Sequence, residues 1–315
     1  MNNCLYVVVP CYNEEEVLRE TAKRLKEKFN ALIKEGKIDK NSRITFVNDG
    51  SKDKTWEIIK ELHKEDKIFS GVNLSRNRGH QNALLAGLMT VKDLADMVIS
   101  MDADLQDDIN AVDGMVEKYM QGADIVYGVR NKRETDTFFK RFTAEGYYKV
   151  MKKMGVDLVF NHADYRLMSK RALAGLEEFK EVNLFLRGIV PQIGYKTDIE
   201  TYERGERFAG ESKYPLKKML SFAWQGITSF SVKPMDVVLG LGGFISGASF
   251  IAMIAMLICF LCGISIKSWM VVLGSIWLSC GLVMFSIGIV GAYIGKIYME
   301  SKERPRFIIE EFINK

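Results

Sequence analysis

The sequence predicts an α/β domain with a mostly parallel sheet, followed by amphipathic helices at a membrane surface and a C-terminal hairpin of two transmembrane helices. Strand and helix patterns alternate over the first 127 residues, which is typical of a parallel sheet with helices on both faces. Later in the chain, residues 237–266 and 269–295 contain no charged side chain. Each of these runs exceeds the roughly 20 apolar residues that cross the core of a bilayer.

Short runs of apolar and β-branched residues form the predicted strands, at 5–9, 43–47, 68–74, 97–101 and 124–127. Helical patterns follow the first three of these strands, at 14–34, 54–65 and 82–91. In sheets of this kind, ligands bind outside the carboxyl ends of the strands. The loops that follow the predicted strands are therefore where we expect a functional site.

Two basic and aromatic segments separate this domain from the membrane runs. Residues 130–154 have an imperfect helical period, so they either pack against the domain or lie at a membrane surface. Residues 215–231 have a similar composition and lead directly into the bilayer, which favours an interface helix. We therefore divide the chain into a domain at 1–212, an interface helix at 213–235, a hairpin at 236–296 and a tail at 297–315, with membrane helices at about 237–264 and 269–295.

The orientation of the hairpin follows from its flanking charges. Only Lys267 and Ser268 join the two runs, so both outer ends must lie on the same side of the membrane. Lysine and arginine cluster beside those outer ends, which places the domain and the tail in the cytoplasm of a multi-pass protein of the inner or plasma membrane. Glycines recur every seven residues from Gly274 to Gly295, a stripe that either packs the hairpin or joins subunits, as in a tetramer.

Charge and cysteine content exclude several classes of function. A net charge of +4 is modest and does not indicate a nucleic-acid partner. The five cysteines include a C-x-x-C pair at Cys259 and Cys262, but no second pair or histidine cluster accompanies it. We interpret these cysteines as small apolar membrane residues rather than as a metal or redox site.

Polar residues follow the predicted strands, at 10–14, 48–51, 75–79 and 102–104. Asp102 and Asp104 come directly after an apolar strand, with one residue between them. Paired carboxylates at a strand end suit Mg²⁺ or Mn²⁺, which can bridge the phosphates of a nucleotide diphosphate. Four such loops at one edge of the sheet predict a binding site for a nucleotide and a divalent cation.

Several of these segments resemble the motifs of glycosyltransferase family 2, which has the GT-A fold, a nucleotide-binding α/β domain. They are VVPCYNEE at 8–15, VNDGS at 47–51, GHQNA at 79–83 and MDADLQ at 101–106. The chain resembles more narrowly the bacterial polyprenyl-phosphate glycosyltransferases of the dolichol-phosphate mannose synthase type. The segments that carry this narrower likeness are DLQD at 104–107, ADYRLM at 163–168, GESKY at 210–214, the two membrane runs and the tail from YIGKIY at 293–298 to Arg304 and Pro305.

The resemblance implies roles for individual residues. Those expected to hold the nucleotide-sugar are Pro10, Tyr12, Glu14, Asp49 and Asp102. Those expected at the reacting centre are Asp104 as the principal metal ligand, with Asp102 beside it, Gln106 near the donor sugar, and Asp164 with Arg166. Those expected to face phosphate groups are Arg130 and Lys213. Asp108 departs from the family pattern, since many relatives carry proline there.

The function implied by the resemblance is inverting transfer of a sugar from a UDP-sugar to undecaprenyl or another polyprenyl phosphate at the cytoplasmic membrane face. Such an enzyme supplies lipid-linked sugar for cell-envelope glycans. Glucose is the first expectation for the sugar, followed by N-acetylglucosamine or a modified pentose. Asp164 remains open as a base, a sugar-hydroxyl anchor or a structural partner of Arg166. His80, within the family-like GHQNA segment, either contacts the nucleotide or has a structural role.

Three rival functions share parts of this pattern. A processive polysaccharide synthase would carry a Gln-x-x-Arg-Trp motif and more membrane helices, and the sequence has no such motif. A non-catalytic membrane scaffold would be expected to lose Asp49, Asp102 and Asp104, all of which are present. A sugar nucleotidyltransferase needs a glycine-rich phosphate loop near the N-terminus, but no glycine occurs before Gly36.

Overall fold

The computed structural model describes residues 3–130, 162–203, 251 and 268–314. Its centre is an eight-stranded sheet with the strand order β7-β5-β6-β4-β1-β2-β3-β8. The strands are β1 (Leu5–Cys11), β2 (Arg43–Asn48), β3 (Phe69–Leu74), β4 (Met97–Ser100), β5 (Ile125–Arg130), β6 (His162–Ser169), β7 (Thr197–Tyr202) and β8 (Ile309–Ile313). The helices are α1 (Leu18–Lys34), α2 (Thr55–Glu65), α3 (His80–Val91), α4 (Ala111–Met120), α5 (Lys170–Glu177), α6 (Leu186–Gln192) and α7 (Ser268–Ser301).

The sheet is mostly parallel, which confirms the predicted α/β class. Strands β1 to β4 pair with one another in parallel, and β5 pairs in parallel with β7. Strand β6 lies between β4 and β5 and runs antiparallel to both. Strand β8 is antiparallel to β3 at the edge of the sheet. The five strands expected from the sequence are all present, whereas β6, β7 and β8 were not predicted.

Apolar side chains of β1 alternate between two cores, one on each face of the sheet. Val7 and Val9 pack in the core that α1, α2 and α4 cover. Tyr6 and Val8 pack in the opposite core with α3, α5 and α6. Every residue of β1 is buried, as expected for a central strand covered on both faces. These two layers of helix fix the strand ends from which the site is built.

The predicted helix at 14–34 begins later than expected, at Leu18. The backbone N–H groups of Val17 and Leu18 donate to the carbonyl of Glu14 at 3.1 and 3.0 Å, so the residues before α1 form a turn. The predicted helices at 54–65 and 82–91 correspond to α2 and α3, within one or two residues at their starts.

The predicted membrane hairpin is described only in part. Its first run, 237–264, lies outside the described residues apart from Ile251, and so do the interface segment 213–235 and nearly all of 130–154. Its second run, 269–295, falls within the 34-residue helix α7. Judged on the described residues alone, no helix is both long enough and apolar enough to cross a membrane.

Candidate active site

The site lies at the edge of the sheet where β1, β2 and β4 end. Strand β6 begins at this same edge because it runs the opposite way, and its residue Arg166 pairs with Ser100, the last residue of β4. Asp164, two residues earlier on β6, therefore lies beside the loop that carries Asp102 and Asp104. The direction of β6 is what brings the second half of the chain to the predicted site.

The loop after β1 is tied to the loop after β2. The Asn13 backbone N–H donates to Ser51 Oγ at 3.0 Å, and Asn13 Oδ1 accepts the Lys52 N–H at 2.9 Å. Asn13 has a φ of +53°, a left-handed conformation that asparagine tolerates better than most residues. Pro10 is buried opposite Val47 in the sheet. Tyr12 has 38% of its surface exposed, so a ligand at this edge of the sheet can contact it. Glu14 donates its N–H to Thr55 Oγ1 at 3.0 Å.

Asp49 fixes the loop that follows β3. Only 2% of Asp49 is exposed, and its two carboxylate oxygens accept the backbone N–H groups of Arg78 at 2.6 Å and Gly79 at 2.9 Å. Burial raises the pKa of Asp49, although these two N–H groups oppose the rise. Gly50 has a φ of +63°, and a Cβ atom there would lie 2.5 Å from the backbone nitrogen of Asn77. The close approach of the two loops therefore requires glycine.

Asp102 and Asp104 are at the centre of an acidic loop. Asp104 Oδ1 accepts the Gln106 N–H at 3.1 Å, across Leu105, whose φ is +57°. Such left-handed non-glycine residues cost about 1–3 kcal/mol and cluster at functional sites. Burial raises the pKa of Asp102 to about 6, partly offset by His80 and reinforced by the carboxylates of Asp107, Asp164 and Asp104. Negative charge is thus concentrated where a cation was predicted.

The donor set at this loop fits a divalent ion held jointly with a substrate. Within the residues that the structure describes, no three His, Cys, Asp or Glu side chains are close enough together to form a metal site on their own. Mg²⁺ in particular is usually held by one or two carboxylates together with substrate phosphates and water. Asp102 and Asp104 meet that requirement with hard oxygen ligands.

Asp164 is held by two arginines. Its Oδ1 accepts from Arg166 Nη2 at 2.5 Å and from Arg187 Nε at 3.3 Å, and its Oδ2 accepts from Arg187 Nη2 at 3.1 Å. Burial would raise the pKa of Asp164, but Arg187, Arg166 and His80 hold it well below its usual range. His80 Nε2 lies 3.8 Å from Asp164 Oδ2 and 3.5 Å from Asp102 Oδ1, so the imidazole is placed between the two carboxylates. Asp164 is therefore an ionised partner of cations.

The two arginines differ in their access to a substrate. The Arg166 side chain is 2% exposed, and its Nη1 also donates to the carbonyl of Leu186 at 3.4 Å. Burial lowers the pKa of Arg166, and Asp164 opposes that change. The Arg187 side chain is 42% exposed at the site. Arg187 is thus the cation of this group that an anionic substrate can reach.

Arg130, predicted to face phosphate, pairs with the acidic loop, and 25% of its side chain is exposed. Its Nη2 donates to Asp107 Oδ1 at 3.2 Å, and its Nε donates to the Tyr202 hydroxyl at 3.1 Å. The Tyr202 hydroxyl donates to Asp107 Oδ1 at 2.5 Å, and burial, reinforced by Asp107, raises the pKa of Tyr202. Asp107 Oδ2 is buried with no hydrogen-bond partner among the described atoms. This cluster anchors the loop of Asp104 and Gln106 to β5 and β7.

The structure brings most of the predicted site residues to one edge of the sheet, and it adds others. Lys213 lies outside the described residues. Sequence reasoning missed Arg187, Asp107 and Tyr202 as contributors. The DLQD segment was a signal for Asp107, but an isolated arginine in the seven-residue helix α6 and a tyrosine at the end of β7 have no diagnostic spacing.

Comparison with known proteins identifies the family of this chain. The family model described as glycosyl transferase family 2 matches residues 6–176. The chain is 52% identical over 306 residues to the uncharacterized glycosyltransferase YkoT of Bacillus subtilis, covering 97% of this chain and 91% of that protein. It is 39% identical over 306 residues to the bactoprenol glucosyl transferase of Shigella phage SfV, covering 96% of this chain and 97% of that protein.

A solved structure is similar at a lower level. It is the glucosyl-3-phosphoglycerate synthase of Mycobacterium tuberculosis, crystallised with Mn²⁺, uridine diphosphate and phosphoglyceric acid. The TM-score is 0.48 with 16% identity, covering 72% of this chain and 76% of that chain. The family match and the two relatives nonetheless establish that this chain belongs to glycosyl transferase family 2 and is a glycosyltransferase.

Proposed function

We propose that this enzyme transfers glucose from UDP-glucose to a polyprenyl phosphate, of which undecaprenyl phosphate is the first choice. The observation that carries the proposal is the 39% identity, over nearly the whole of both chains, to a bactoprenol glucosyl transferase. Bactoprenol is a polyprenol, so that name specifies both the lipid and the sugar. The acidic loop offers carboxylates for a divalent cation, and the arginines on β6 and α6 offer positive charge for phosphate groups, both of which such a transfer needs.

The acceptor determines what the protein must provide. A phosphate monoester has a second pKa near 6, so the lipid phosphate is already a competent nucleophile at neutral pH. One of its oxygens attacks the anomeric carbon, the bond from that carbon to the diphosphate breaks, and UDP leaves with the electron pair. Attack from the face opposite the leaving group inverts the anomeric carbon. The reaction therefore depends on positioning and charge stabilisation more than on a strong base.

The environment of Asp164 supports a positioning role. A general base must be able to take a proton, yet the three hydrogen bonds from Arg166 and Arg187 occupy both oxygens of Asp164. Its lowered pKa makes it a weak base as well. Of the three roles that the sequence left open, we propose that Asp164 orients the two arginines. Arg187 then faces the anionic phosphates, because its guanidinium is partly exposed at the site.

A divalent cation completes the proposed site. Asp104 and Asp102 would hold Mg²⁺ or Mn²⁺ together with the donor diphosphate, and the ion would neutralise charge on the departing UDP. Gln106 is fixed beside Asp104 through its backbone N–H and is proposed to face the donor sugar. Pro10, Tyr12, Glu14 and Asp49 are proposed to line the nucleotide end of the site, and Lys213 and Arg130 its phosphate end.

We place the reaction at the cytoplasmic face of the cell membrane. This proposal is supported by the two uncharged runs at 237–266 and 269–295 and by the basic residues that flank them. A hairpin there would hold the site at the bilayer surface, where a soluble donor and a lipid acceptor meet. The glycine stripe from Gly274 to Gly295 favours a homo-oligomer, for which a tetramer is one arrangement.

A donor panel tests the proposal. Purified protein in detergent is incubated with undecaprenyl phosphate, Mg²⁺ or Mn²⁺ and radiolabelled UDP-glucose, UDP-N-acetylglucosamine or a UDP-pentose. We expect organic-soluble label from UDP-glucose, with one sugar per lipid. A polymeric product would support the processive synthase instead, and labelling only from another donor would refute glucose. Asp104→Ala should abolish transfer, whereas Asp93→Ala, at a carboxylate with 72% of its side chain exposed, should not.

A further inference from the structure

The end of helix α7 binds a loop of the catalytic domain. Glu300 Oε2 accepts the Val182 backbone N–H at 2.8 Å. Glu300 Oε1 accepts the Asn183 backbone N–H at 2.8 Å and Asn183 Nδ2 at 2.5 Å. Asn183 Nδ2 also lies 3.4 Å from the carbonyl of Lys296, one helical turn earlier. One carboxylate thus satisfies three donors from two consecutive residues.

The chain after α7 strengthens this attachment. Arg306 Nη1 donates to the carbonyl of Phe179 at 3.0 Å, at the other end of the same loop. Strand β8 then pairs with β3, and Asn73 Nδ2 donates to Glu310 Oε2 at 2.9 Å. Burial would raise the pKa of Glu300, but the bonds from Val182 and Asn183 lower it, so the carboxylate stays charged. The tail is therefore docked on the domain at both the loop and the sheet edge.

The loop that Glu300 holds leads directly to the reacting centre. Residues 178–185 form neither helix nor strand, so a helix or sheet ladder of their own does not satisfy their backbone N–H groups. Helix α6 begins immediately afterwards at Leu186, whose N–H donates to Gln81 Oε1 at 2.8 Å. The next residue is Arg187, which binds Asp164 through two nitrogens. Only three residues lie between Asn183 and Arg187, so the chain from one to the other spans at most about 14 Å.

We propose that Glu300 is a positioning residue for glycosyl transfer. By fixing Val182 and Asn183 it fixes the start of α6, and through α6 it holds the Arg187 guanidinium against Asp164. The helix that the sequence places in the membrane thereby sets the geometry of a cation at the site. The kinetic assay of this proposal rests on the proposed function, but the contact between Glu300 and residues 182–183 can be measured without any substrate.

The kinetic test compares two matched variants of the full-length protein. Glu300→Gln keeps the size of the side chain but replaces one accepting oxygen with a donor. Glu303→Gln makes the same change at an exposed residue for which the described part of the structure shows no side-chain hydrogen bond or ion pair. We expect kcat to fall between about tenfold and 100-fold in E300Q, the scale of a ~1 Å misplacement at a reacting centre, with the donor KM changed less than about twofold. E303Q should match the wild type.

A double-mutant cycle separates positioning from a general loss of structure. If Glu300 acts through Arg187, then adding E300Q to Arg187→Gln should lower kcat by less than about twofold beyond Arg187→Gln alone. Fully multiplicative effects of the two changes would overturn the proposal. So would wild-type kcat in E300Q.

Hydrogen exchange tests the contact without reference to any substrate. We expect the backbone amides of residues 182–187 to exchange faster in E300Q than in wild type or E303Q, because two of them lose a charged acceptor. Unchanged exchange would overturn the proposal even if the enzyme proved to use another acceptor lipid. If E300Q fails to fold, Asn183→Ala removes only the side-chain donor to Glu300, and the same exchange and kinetic effects are expected in smaller degree. Wild-type exchange and kinetics in that variant would then overturn the proposal.

Discussion

Replacing Asp164 with asparagine distinguishes a partner of two arginines from a general base. The substitution keeps the shape of the side chain and removes its charge. Arg166, 2% exposed, would then be buried without a counter-charge, whereas Arg187 can turn toward water from its 42% exposed position. Removing one partner of a buried ion pair costs about 3–5 kcal/mol. We expect a loss of about 3 kcal/mol, at the low end of that range, because the amide oxygen still accepts one N–H.

The dependence on pH follows from the lowered pKa of Asp164. A carboxyl whose pKa is lower in the folded protein than the unfolded value of about 3.9 stabilises the fold fully above that value. This stabilisation is lost as the pH falls through the folded pKa. The difference in unfolding free energy between wild type and Asp164→Asn should therefore be constant above about pH 5 and shrink below about pH 4.

Urea unfolding in detergent, followed by circular dichroism, measures this difference, and the transfer assay measures kcat on the same samples. Glu20→Gln is the control, since Glu20 pairs with Arg24 on the surface of α1 and should cost less than about 0.5 kcal/mol. A stability loss below about 1 kcal/mol together with a loss in kcat of about 10³-fold would refute the reasoning, because that combination indicates a missing general base.

Three further predictions follow from other contacts of the site. Tyr202→Phe removes a hydroxyl that is hydrogen-bonded to Asp107 at 2.5 Å, so it should lower the free energy of unfolding by about 1–3 kcal/mol. It should also raise the Mn²⁺ concentration needed for half-maximal transfer, and an unchanged Mn²⁺ titration would contradict a role for this cluster in metal binding. Gly50→Ala should destabilise the fold more than Gly36→Ala, because both glycines have a positive φ but a Cβ atom only at Gly50, of these two, would lie within 3 Å of backbone atoms. Gly50→Ala should also weaken UDP binding measured by calorimetry, and equal losses of stability in the two variants would contradict this explanation. Chelation with EDTA should stop transfer and added Mg²⁺ or Mn²⁺ should restore it, whereas undiminished transfer in EDTA would contradict a metal at Asp104.

The sequence was sufficient to predict the part of the fold built from local patterns. Strands β1 to β5 follow apolar runs, and parallel strands put their carboxyl ends at one edge, so the positions of Asp49, Asp102 and Asp104 could be inferred. The direction of a strand within the sheet could not be predicted from such patterns. A period of two residues is the same in either direction, so nothing in the segment at 162–169 showed that β6 would run antiparallel.

The contacts of the site were harder to predict than its location. Arg130 and Arg187 each pair with a carboxylate more than 20 residues away in sequence, a separation that local spacing does not predict. Which of them faces solvent depends on how β5, β7 and α6 pack. Strand β8 is mostly exposed and only five residues long, so its weak alternation gave no signal that the tail would extend the sheet beside β3.

The most direct test of the proposed function is a choice of acceptor. Purified enzyme with UDP-glucose and Mn²⁺ is offered undecaprenyl phosphate in one reaction and undecaprenol in another, and the lipid product is identified by mass spectrometry. Because the lipid phosphate is the proposed nucleophile, we expect glucose on undecaprenyl phosphate alone and no product from undecaprenol. Glucose transferred to undecaprenol, or no transfer to either lipid, would contradict it.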